Sequence, residues 1–187
     1  SRKIWCAVST HNGEEKICAE AHQKLKKKYK KLLTVIIPRH VHRVNDIYKE
    51  ILDMGFKVQI HSKKSKIKKD TDIYLVDTYG ETKSFFKICN TVFLGGSIVN
   101  HGGQNPLEPA RFGCKILHGP NIQNFTEVYR LLNKENLSFK FYNTNQLAKS
   151  VNQSLNQNIN FSKKITKLKK IGSNILHHTS TEINYFL

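Results

Sequence analysis

Short apolar segments alternate along the chain with longer segments in which apolar residues recur at helical spacing. The apolar segments are rich in branched side chains and are bounded by turn residues, which is typical of buried strands. We predict strands at residues 4–8, 32–38, 57–60, 72–76, 91–94 and 115–118. Residues 138–141 form either one more strand or an extension of the sheet edge.

The segments between these strands have the period of amphipathic helices. In the first of them Ile17, Ala21 and Leu25 fall on one face, and Gly55 is the expected stop of the second. Regular alternation of strands and helices predicts an α/β fold with a doubly wound, Rossmann-like parallel sheet of six strands. We predict helices at residues 14–30, 41–54, 82–89, 105–112, 124–132, 144–156 and 162–176.

Polar loops follow four of the predicted strands, at residues 9–13, 38–40, 77–81 and 95–104. Ligands of doubly wound sheets bind at the carboxyl ends of the strands. Because these ends meet at one edge of a parallel sheet, we expect the four loops to lie together. The sequence therefore predicts one binding cleft at that edge.

The segment 95–110 contains four glycines ahead of a predicted helix start. Glycine lets a ligand approach the backbone, and the amides of a helix N-terminus favour an anion. Asn105 is the expected capping residue, with Pro106 at the first helical position and Glu108 three residues after the cap. The pattern favours a phosphate-bearing ligand over a plain strand-to-helix connection. The glycines are Gly95, Gly96, Gly102 and Gly103.

The other loops also carry residues suited to an acidic ligand. Arg39 follows a strand end, and its planar guanidinium can bind a phosphate or carboxylate with two hydrogen bonds. Ser9 or Thr10 is expected to cap the first helix, which leaves His11 as the loop residue that capping does not explain. Gly80 allows close approach to the backbone in the third loop.

The formal net charge is +17, from 31 basic and 14 acidic residues. Such an excess favours polyanionic partners such as nucleic acid, anionic lipid or phosphorylated substrates. The densest basic runs, residues 24–31 and 63–69, fit solvated faces equally well. No apolar run of about 18 residues is present, so we predict no membrane span. The chain enters a strand almost at once, which suggests a domain boundary rather than a signal peptide.

None of the four cysteines belongs to a CxxC pair, so neither a zinc site nor thiol–disulfide chemistry is expected. Their apolar neighbourhoods predict small buried side chains in a reducing compartment. His40 and His42 lack both the helical spacing and the carboxylate partners of a metal site. The cysteines are Cys6, Cys18, Cys89 and Cys114.

Taken together, the loop motifs resemble the C-terminal domain of the 3-deoxy-D-manno-oct-2-ulosonic acid (Kdo) transferases. The resemblance covers residues 4–132, with several independent motifs in order and at compatible spacing, whereas residues 137–187 match weakly. The matching residues are Ser9-Thr10-His11, Gly13-Glu14-Glu15, Pro38-Arg39-His40, Asp77-Thr78, Gly80-Glu81, Gly95-Gly96-Ser97, Gly102-Gly103, Asn105-Pro106-Leu107-Glu108-Pro109-Ala110, Gly119-Pro120 and Asn124-Phe125.

This resemblance implies the C-terminal half of a GT-B glycosyltransferase. Residues 1–160 would form the domain that binds the donor CMP-Kdo, and residues 161–187 a helix that packs on it or crosses to the N-terminal domain. The contacts to CMP carry over to Pro38, Arg39, Tyr79, Gly80, Glu81, Asn105, Pro106, Leu107 and Glu108. Candidate donor-cleft residues are Ser9, Thr10, His11, Gly95, Gly96, Ser97, Gly102 and Gly103.

The resemblance also implies inverting transfer of Kdo from CMP-Kdo to a lipid A precursor in lipopolysaccharide synthesis, without a metal or a cofactor. In this family the N-terminal domain holds the acceptor and the catalytic carboxylate base. We therefore expect no catalytic residue in this chain and no activity of the chain alone. The full-length enzyme is expected at the cytoplasmic face of the bacterial inner membrane, where an anionic surface would attract the basic residues.

The chain departs from the family pattern at several loop positions. Asn100-His101 stands where the family often has Glu-Arg, Gln104 stands where His is common, and Tyr79 replaces a smaller or aliphatic residue. These departures concern side chains of the loops and leave the proposed backbone contacts unchanged.

Two other functions remain open at the level of the sequence. A basic α/β module would bind nucleic acid or an anionic membrane, although the aromatic residues are not interleaved with basic ones as on a base-stacking platform, which disfavours nucleic acid. Another GT-B enzyme that uses a UDP-sugar would have the same fold. Competition between CMP and UDP distinguishes this last alternative.

Overall fold

The computed structural model of the chain describes residues 2–63, 66–156 and Thr166. Its centre is a seven-stranded sheet in the order β3-β4-β2-β1-β5-β6-β7, and each neighbouring pair is parallel. The predicted doubly wound parallel α/β fold is confirmed. The strands are β1 (Ile4–Thr10), β2 (Leu33–Pro38), β3 (Val58–Ile60), β4 (Ile73–Leu75), β5 (Thr91–Leu94), β6 (Lys115–His118) and β7 (Ser138–Lys140).

The sheet has one strand more than the six predicted. β7 lies parallel to β6, with Ser138 opposite Ile116. Backbone hydrogen bonds join Ile116 N to Leu137 O at 2.8 Å and Phe141 N to His118 O at 2.9 Å. The three-residue strand carries too few apolar residues for its periodicity to separate a strand from an edge extension.

Six α-helices cover the two faces of the sheet in the described part of the chain. The first is shorter than predicted, because Lys28 N and Tyr29 N both donate to Leu25 O and the chain then turns into β2. The helices are α1 (Glu14–Lys26), α2 (Val44–Asp53), α3 (Thr82–Ile88), α4 (Leu107–Arg111), α5 (Thr126–Lys134) and α6 (Thr144–Asn156).

Helix α6 packs against α1 and helps to close one face of the sheet. The Tyr29 hydroxyl donates to Asn152 Oδ1 at 2.6 Å, and the Thr144 hydroxyl donates to Glu20 Oε2 at 2.9 Å. The predicted helix at residues 162–176 and the assignment of residues 161–187 lie outside the described residues, apart from Thr166. Among the residues described, no helix is long and apolar enough to cross a bilayer.

Alternating side chains of the strands form a hydrophobic core on each face. Trp5 and Ala7 of β1 pack with α1, α2 and α6, whereas Cys6 and Val8 pack on the side of α3, α4 and α5. The predicted burial of the cysteines is confirmed, since all four are buried and unpaired. Burial raises the pKa of the Cys114 thiol to about 12, so this thiol is uncharged and unreactive at neutral pH.

The sheet reverses its direction of growth at β1. Strands β2, β3 and β4 lie on one side of β1, and β5, β6 and β7 lie on the other. The loops that follow β1 and β5 therefore diverge at the carboxyl edge and leave a crevice between them. In sheets of this kind the crevice at the reversal point is the usual ligand site.

A buried polar cluster lies at the opposite edge, where β2 and β4 begin. His22 of α1 is fully buried, with Nδ1 2.8 Å from Thr34 Oγ1 and Nε2 3.5 Å from Asp72 Oδ1. Lys26 Nζ lies 2.5 Å from the same oxygen of Asp72. Burial, which outweighs the opposing effect of Asp72, lowers the pKa of His22 to about 4. The ring is therefore neutral in the folded chain at neutral pH.

We predict that His22 makes the fold sensitive to acid. Between its ordinary pKa of 6.5 and its folded pKa of about 4, the unfolded chain binds a proton that the folded chain does not. The free energy of unfolding should therefore decrease as the pH falls through this window, by up to about 1.4 kcal/mol per pH unit from this residue. Urea unfolding at several pH values across the window measures the slope.

The control for this prediction is a histidine at an exposed position. His22→Gln should flatten the dependence of the unfolding free energy on pH, whereas His42→Gln should leave it unchanged. An unaltered slope in His22→Gln would contradict the assignment.

Candidate functional site

A cleft of about 310 Å³ opens at the carboxyl edge of the sheet. Its floor is apolar and includes Val8, Ile37 and Leu94 from β1, β2 and β5, together with Phe86 of α3. Its rim is polar and is built by the loops that follow β1, β2, β4 and β5. The predicted convergence of four loops at one edge is thus present in the structure.

Most residues carried over from the family's CMP contacts meet in this cleft. Three of them do not line it: Glu81, Pro106 and Leu107. The carboxylate of Glu81 instead lies 3.9 Å from His61 Nε2, on the side of β3. The candidate CMP contacts that do line the cleft are Pro38, Arg39, Tyr79, Gly80, Asn105 and Glu108. Ser9 of the candidate donor-cleft set lines it as well.

The cleft also contains residues that the motifs did not single out as candidates. Gln104, Thr78 and Val41 contribute to its lining. Thr78 belongs to the matching motif Asp77-Thr78 and Gln104 is a departure from the family pattern, so the sequence marks both residues without assigning them to the site. Val41 begins a short 3₁₀ turn after β2, and nothing in its local sequence pattern marks it.

Helix α4 begins later than predicted. Asn105 Oδ1 accepts a hydrogen bond from Leu107 N at 3.0 Å, so the side chain closes a turn two residues ahead. Pro106 takes the capping position that was expected for Asn105, and the helix has five residues. Glu108 lies in its first turn and lines the cleft.

The backbone amides of the glycine-rich turn after β5 bind the carboxylate of Glu14. Glu14 is fully buried, and its carboxylate accepts backbone N–H groups from two loops. Oε1 accepts from Ser97 N at 3.1 Å and Ile98 N at 3.0 Å, and Oε2 accepts from His11 N at 2.9 Å and Gly96 N at 2.8 Å. The amides expected to meet a ligand phosphate are therefore occupied by Glu14.

Gly95 permits this arrangement because no side chain fits at its position. A Cβ atom there would lie 2.3 Å from Ser9 O, 2.6 Å from Thr10 Cα and 2.7 Å from Glu14 Oε2. The expectation that Ser9 or Thr10 caps α1 is wrong, since the capping position is Gly13, which has no side chain to accept a hydrogen bond from the first turn. The loop after β1 is held by Glu14 instead.

Glu15 next to it is buried as well and is neutralised by an arginine. Arg43 Nη1 donates to Glu15 Oε1 at 3.1 Å, and Arg43 Nη2 donates to Glu15 Oε2 at 3.2 Å. Such a two-point pair between a guanidinium and a carboxylate is geometrically specific. It fixes the segment after β2 against the start of α1.

Ser9 has a backbone conformation that is uncommon for a residue with a side chain. Its φ angle is 55°, and it forms an irregularity between Val8 and Thr10 in the pairing of β1 with β2. The left-handed conformation costs about 1–2 kcal/mol for such a residue. It turns Ser9 into the lining of the cleft, while Thr10 is fully buried.

His11 lies beside the cleft and contacts other histidines. Its ring centroid is 4.1 Å from that of His101 and 5.8 Å from that of His40. Its Nε2 atom is buried and has no hydrogen-bond partner. Burial first, and then the neighbouring basic groups, lower the pKa of His11 to about 4.

The remaining candidate donor-cleft residues shape the turn and do not line the cleft. Ser97 Oγ donates to Leu94 O at 2.6 Å and accepts from Gly119 N at 2.9 Å. A Cβ atom on Gly102, whose φ is +94°, would lie 2.2 Å from Asn124 Nδ2. These residues therefore fix the conformation of the turn next to the cleft. They are Gly95, Gly96, Ser97, Gly102 and Gly103.

The described residues contain no group of three or more His, Cys, Asp or Glu side chains that could hold a metal ion. The chemistry that the cleft itself offers is a guanidinium, a carboxylate, amide and hydroxyl groups and an apolar floor. Pockets with this combination bind small polar organic ligands.

Comparison with known proteins identifies the family. The 3-deoxy-D-manno-octulosonic acid transferase of Haemophilus influenzae is 38% identical over 131 residues, which are 70% of this chain and 31% of that protein. The enzyme of the same name from Aquifex aeolicus is 30% identical over 149 residues, which are 80% of this chain and 41% of that protein. The chain belongs to the Kdo transferase family.

A solved structure has the same fold as this chain. It is the C-terminal CMP-Kdo binding domain of WaaA from Acinetobacter baumannii, with a TM-score of 0.83, 24% identity and coverage of 91% of this chain and 89% of that domain. No family model matches the chain. The chain thus spans less than half the length of these two relatives and matches the isolated domain almost throughout.

We predict that Glu14→Gln destabilises the domain. The amide nitrogen of glutamine cannot accept hydrogen bonds, so two of the four backbone N–H groups, which are buried or partly buried, lose their acceptor. Leaving buried donors unsatisfied costs about 1–3 kcal/mol each, and we expect a decrease of about 3 kcal/mol in the free energy of unfolding. Urea unfolding followed by circular dichroism measures it.

The matched control is Glu50→Gln, an exposed carboxylate on α2. We expect this variant to differ from wild type by less than about 0.5 kcal/mol. A Glu14→Gln variant as stable as Glu50→Gln would rule out a structural role for the buried carboxylate.

Proposed function

We propose that this chain is the donor-binding domain of a Kdo transferase and that its cleft binds the CMP part of CMP-Kdo. The observation that carries the proposal is the cleft at the carboxyl ends of β1, β2, β4 and β5, where the family's nucleotide residues converge. Its volume of about 310 Å³ lies at the lower end of the range for small-molecule pockets.

The lining suggests how a cytidine nucleotide would bind. Arg39 is a cation at the rim and would pair with the phosphate. Asn105 and Glu108 provide the amide and carboxylate that would bond the ribose hydroxyls or the base. Tyr79 is 73% exposed at the rim, where its ring is available to cover a bound ligand.

In the proposed reaction the acceptor hydroxyl oxygen bonds to the anomeric carbon of Kdo. The bond from that carbon to the phosphate oxygen breaks, and its electron pair leaves with CMP. Arg39 would stabilise the charge that develops on the departing phosphate. Attack opposite the leaving group makes the transfer inverting, and no metal or cofactor enters these steps.

The base that takes the acceptor proton is proposed to lie outside these residues. Glu14 is engaged by four backbone N–H groups, and Glu15 is paired with Arg43. Neither buried carboxylate can therefore accept a proton from a substrate without loss of its partners. We propose that the acceptor is a lipid A precursor and that the chain alone does not transfer Kdo.

We predict that the chain binds CMP and that Arg39→Gln weakens this binding about tenfold, because a hydrogen bond to a charged group contributes about 1.5–3 kcal/mol. Titration by calorimetry gives the dissociation constant, and amide chemical shifts locate the site. CMP should bind more tightly than UDP.

Arg111→Gln, an exposed arginine of α4 outside the cleft lining, is the matched control and should bind CMP as wild type does. Chemical-shift changes confined to residues 63–69 would argue against the cleft. Tighter binding of UDP than of CMP would favour a UDP-sugar enzyme.

A second surface supports a membrane partner for the whole enzyme. Arg2 donates from Nε to Lys31 O and from Nη1 to Lys68 O, each at 3.0 Å, and so brings the two lysine-rich runs together. The first run precedes β2 and the second precedes β4, so both lie at the amino ends of the strands, opposite the cleft. We call residues 24–31 and 66–69 the basic edge. We propose that it faces the anionic cytoplasmic surface of the inner membrane.

We predict salt-sensitive binding of the chain to vesicles that contain phosphatidylglycerol. Each lysine near such a surface contributes about 1 kcal/mol, and salt screens this attraction. The triple substitution Lys27→Gln, Lys30→Gln and Lys69→Gln should weaken vesicle co-sedimentation strongly.

The control for the vesicle experiment removes the same number of charges from exposed lysines elsewhere, with Lys83→Gln, Lys87→Gln and Lys134→Gln. We expect a much smaller effect. Equal effects of the two triple variants, or vesicle binding that does not depend on salt concentration, would contradict the proposal that the basic edge binds the membrane. Tighter binding to duplex RNA than to vesicles at the same salt concentration would favour a nucleic-acid partner.

A further inference from the structure

Three of the loops that form the cleft each carry a histidine next to their cleft residue. The histidines lie one to three positions along the chain from residues that line the cleft, and they do not line it themselves. A ligand that extends out of the cleft along these loops therefore meets imidazole groups. The pairs are Ser9 and His11, Arg39 and His40, and Gln104 and His101.

The three rings form one cluster. The rings of His11 and His101 lie 4.1 Å apart at an angle of 38°, and the ring of His40 meets that of His11 edge-on at 5.8 Å. Gly96 lies against two of the rings, since a Cβ atom there would be 3.3 Å from both His11 and His101. We call His11, His40 and His101 the histidine cluster.

The cluster is electrostatically suited to an anion. The buried Nε2 atom of His11 has no hydrogen-bond partner. Burial and the surrounding basic groups lower the pKa of His11 to about 4, so the ring is neutral at neutral pH and an added anion would raise its pKa. The carboxylate of Glu14 faces the backbone N–H of His11, and Arg43 is itself paired with Glu15. The basic groups that act on His11 are His101, His40, Arg43 and Arg39.

We propose that the histidine cluster binds the carboxylate of the sugar acid in the donor. This inference rests on the proposed function, in which CMP occupies the cleft. In a nucleotide-linked 2-ulosonic acid, the carbon that bears the phosphate ester also bears the carboxylate. The carboxylate is therefore only a few covalent bonds from the phosphate. If Arg39 binds the phosphate, the carboxylate lies close to Arg39 and so near His40 and the other two rings.

The cluster would serve two purposes. Imidazole N–H groups would donate to the carboxylate oxygens, which fixes the orientation of the sugar around the bond to phosphate. A neutral nucleotide-linked hexose offers no charge to this position, so the same contacts would select an acidic sugar over a neutral one.

The experiment compares the affinities of the full 187-residue chain for CMP and for CMP-Kdo by calorimetry. Wild type should bind CMP-Kdo about tenfold more tightly than CMP, as one or more charge-assisted hydrogen bonds would give. His11→Ala and His101→Ala should reduce this preference severalfold and leave the affinity for CMP within about twofold. His42→Ala is the matched control and should retain the preference, since the ring contact of His42 is with His40 and not with the two substituted residues.

The possible outcomes separate the two proposals. If neither ligand binds to wild type, the proposed function fails and the carboxylate site fails with it. If CMP binds but the preference for CMP-Kdo is absent, or survives in both variants, the cleft stands and the histidine cluster is not the carboxylate site. The same conclusion follows if the variants weaken CMP and CMP-Kdo equally. His101 is exposed, so His101→Ala keeps the test valid even if His11→Ala does not fold.

Discussion

The carboxylate of Glu14 holds the carboxyl edge of this domain together. It accepts N–H groups from the loop after β1 and from the turn after β5, which are the two loops that diverge where the sheet reverses its growth. A buried carboxylate is tolerated only when its oxygens are fully hydrogen-bonded, and here four backbone amides meet that requirement. Ser9 and Gly95 lie in contact at this junction, beside the cleft.

Much of the fold follows from local rules that the sequence exposes. The period of apolar residues separates strands from helices, and parallel pairing with right-handed crossovers brings the loops to one edge. The same rules leave open whether residues 138–141 are a seventh strand or an edge extension, because Ser138–Lys140 is too short to have a period. The later start of α4 depends on which backbone amide the side chain of Asn105 reaches, and here it reaches that of Leu107, two residues ahead.

The sequence predicts the location of the site, but only part of the chemistry of the groups in it. A glycine-rich turn with outward amides gives the same sequence pattern whether its anion is a bound phosphate or a side chain of the protein. The structure shows that the anion is the carboxylate of Glu14, which is 82 residues away from Gly96 in the chain. The residues that line the cleft, such as Arg39 and Glu108, were found because they lie at strand ends and in a first helical turn. Family membership then narrows the ligand, which a polar cleft of this size does not do alone.

The placement of the basic edge at the amino ends of the strands has a consequence for turnover. A domain adsorbed through that edge would expose its cleft to the bulk aqueous phase rather than to the lipid headgroups. With the donor bound in the cleft as proposed, product would leave and new donor would enter while the protein stays adsorbed. Surface residence and donor exchange would be independent processes, each with its own rate.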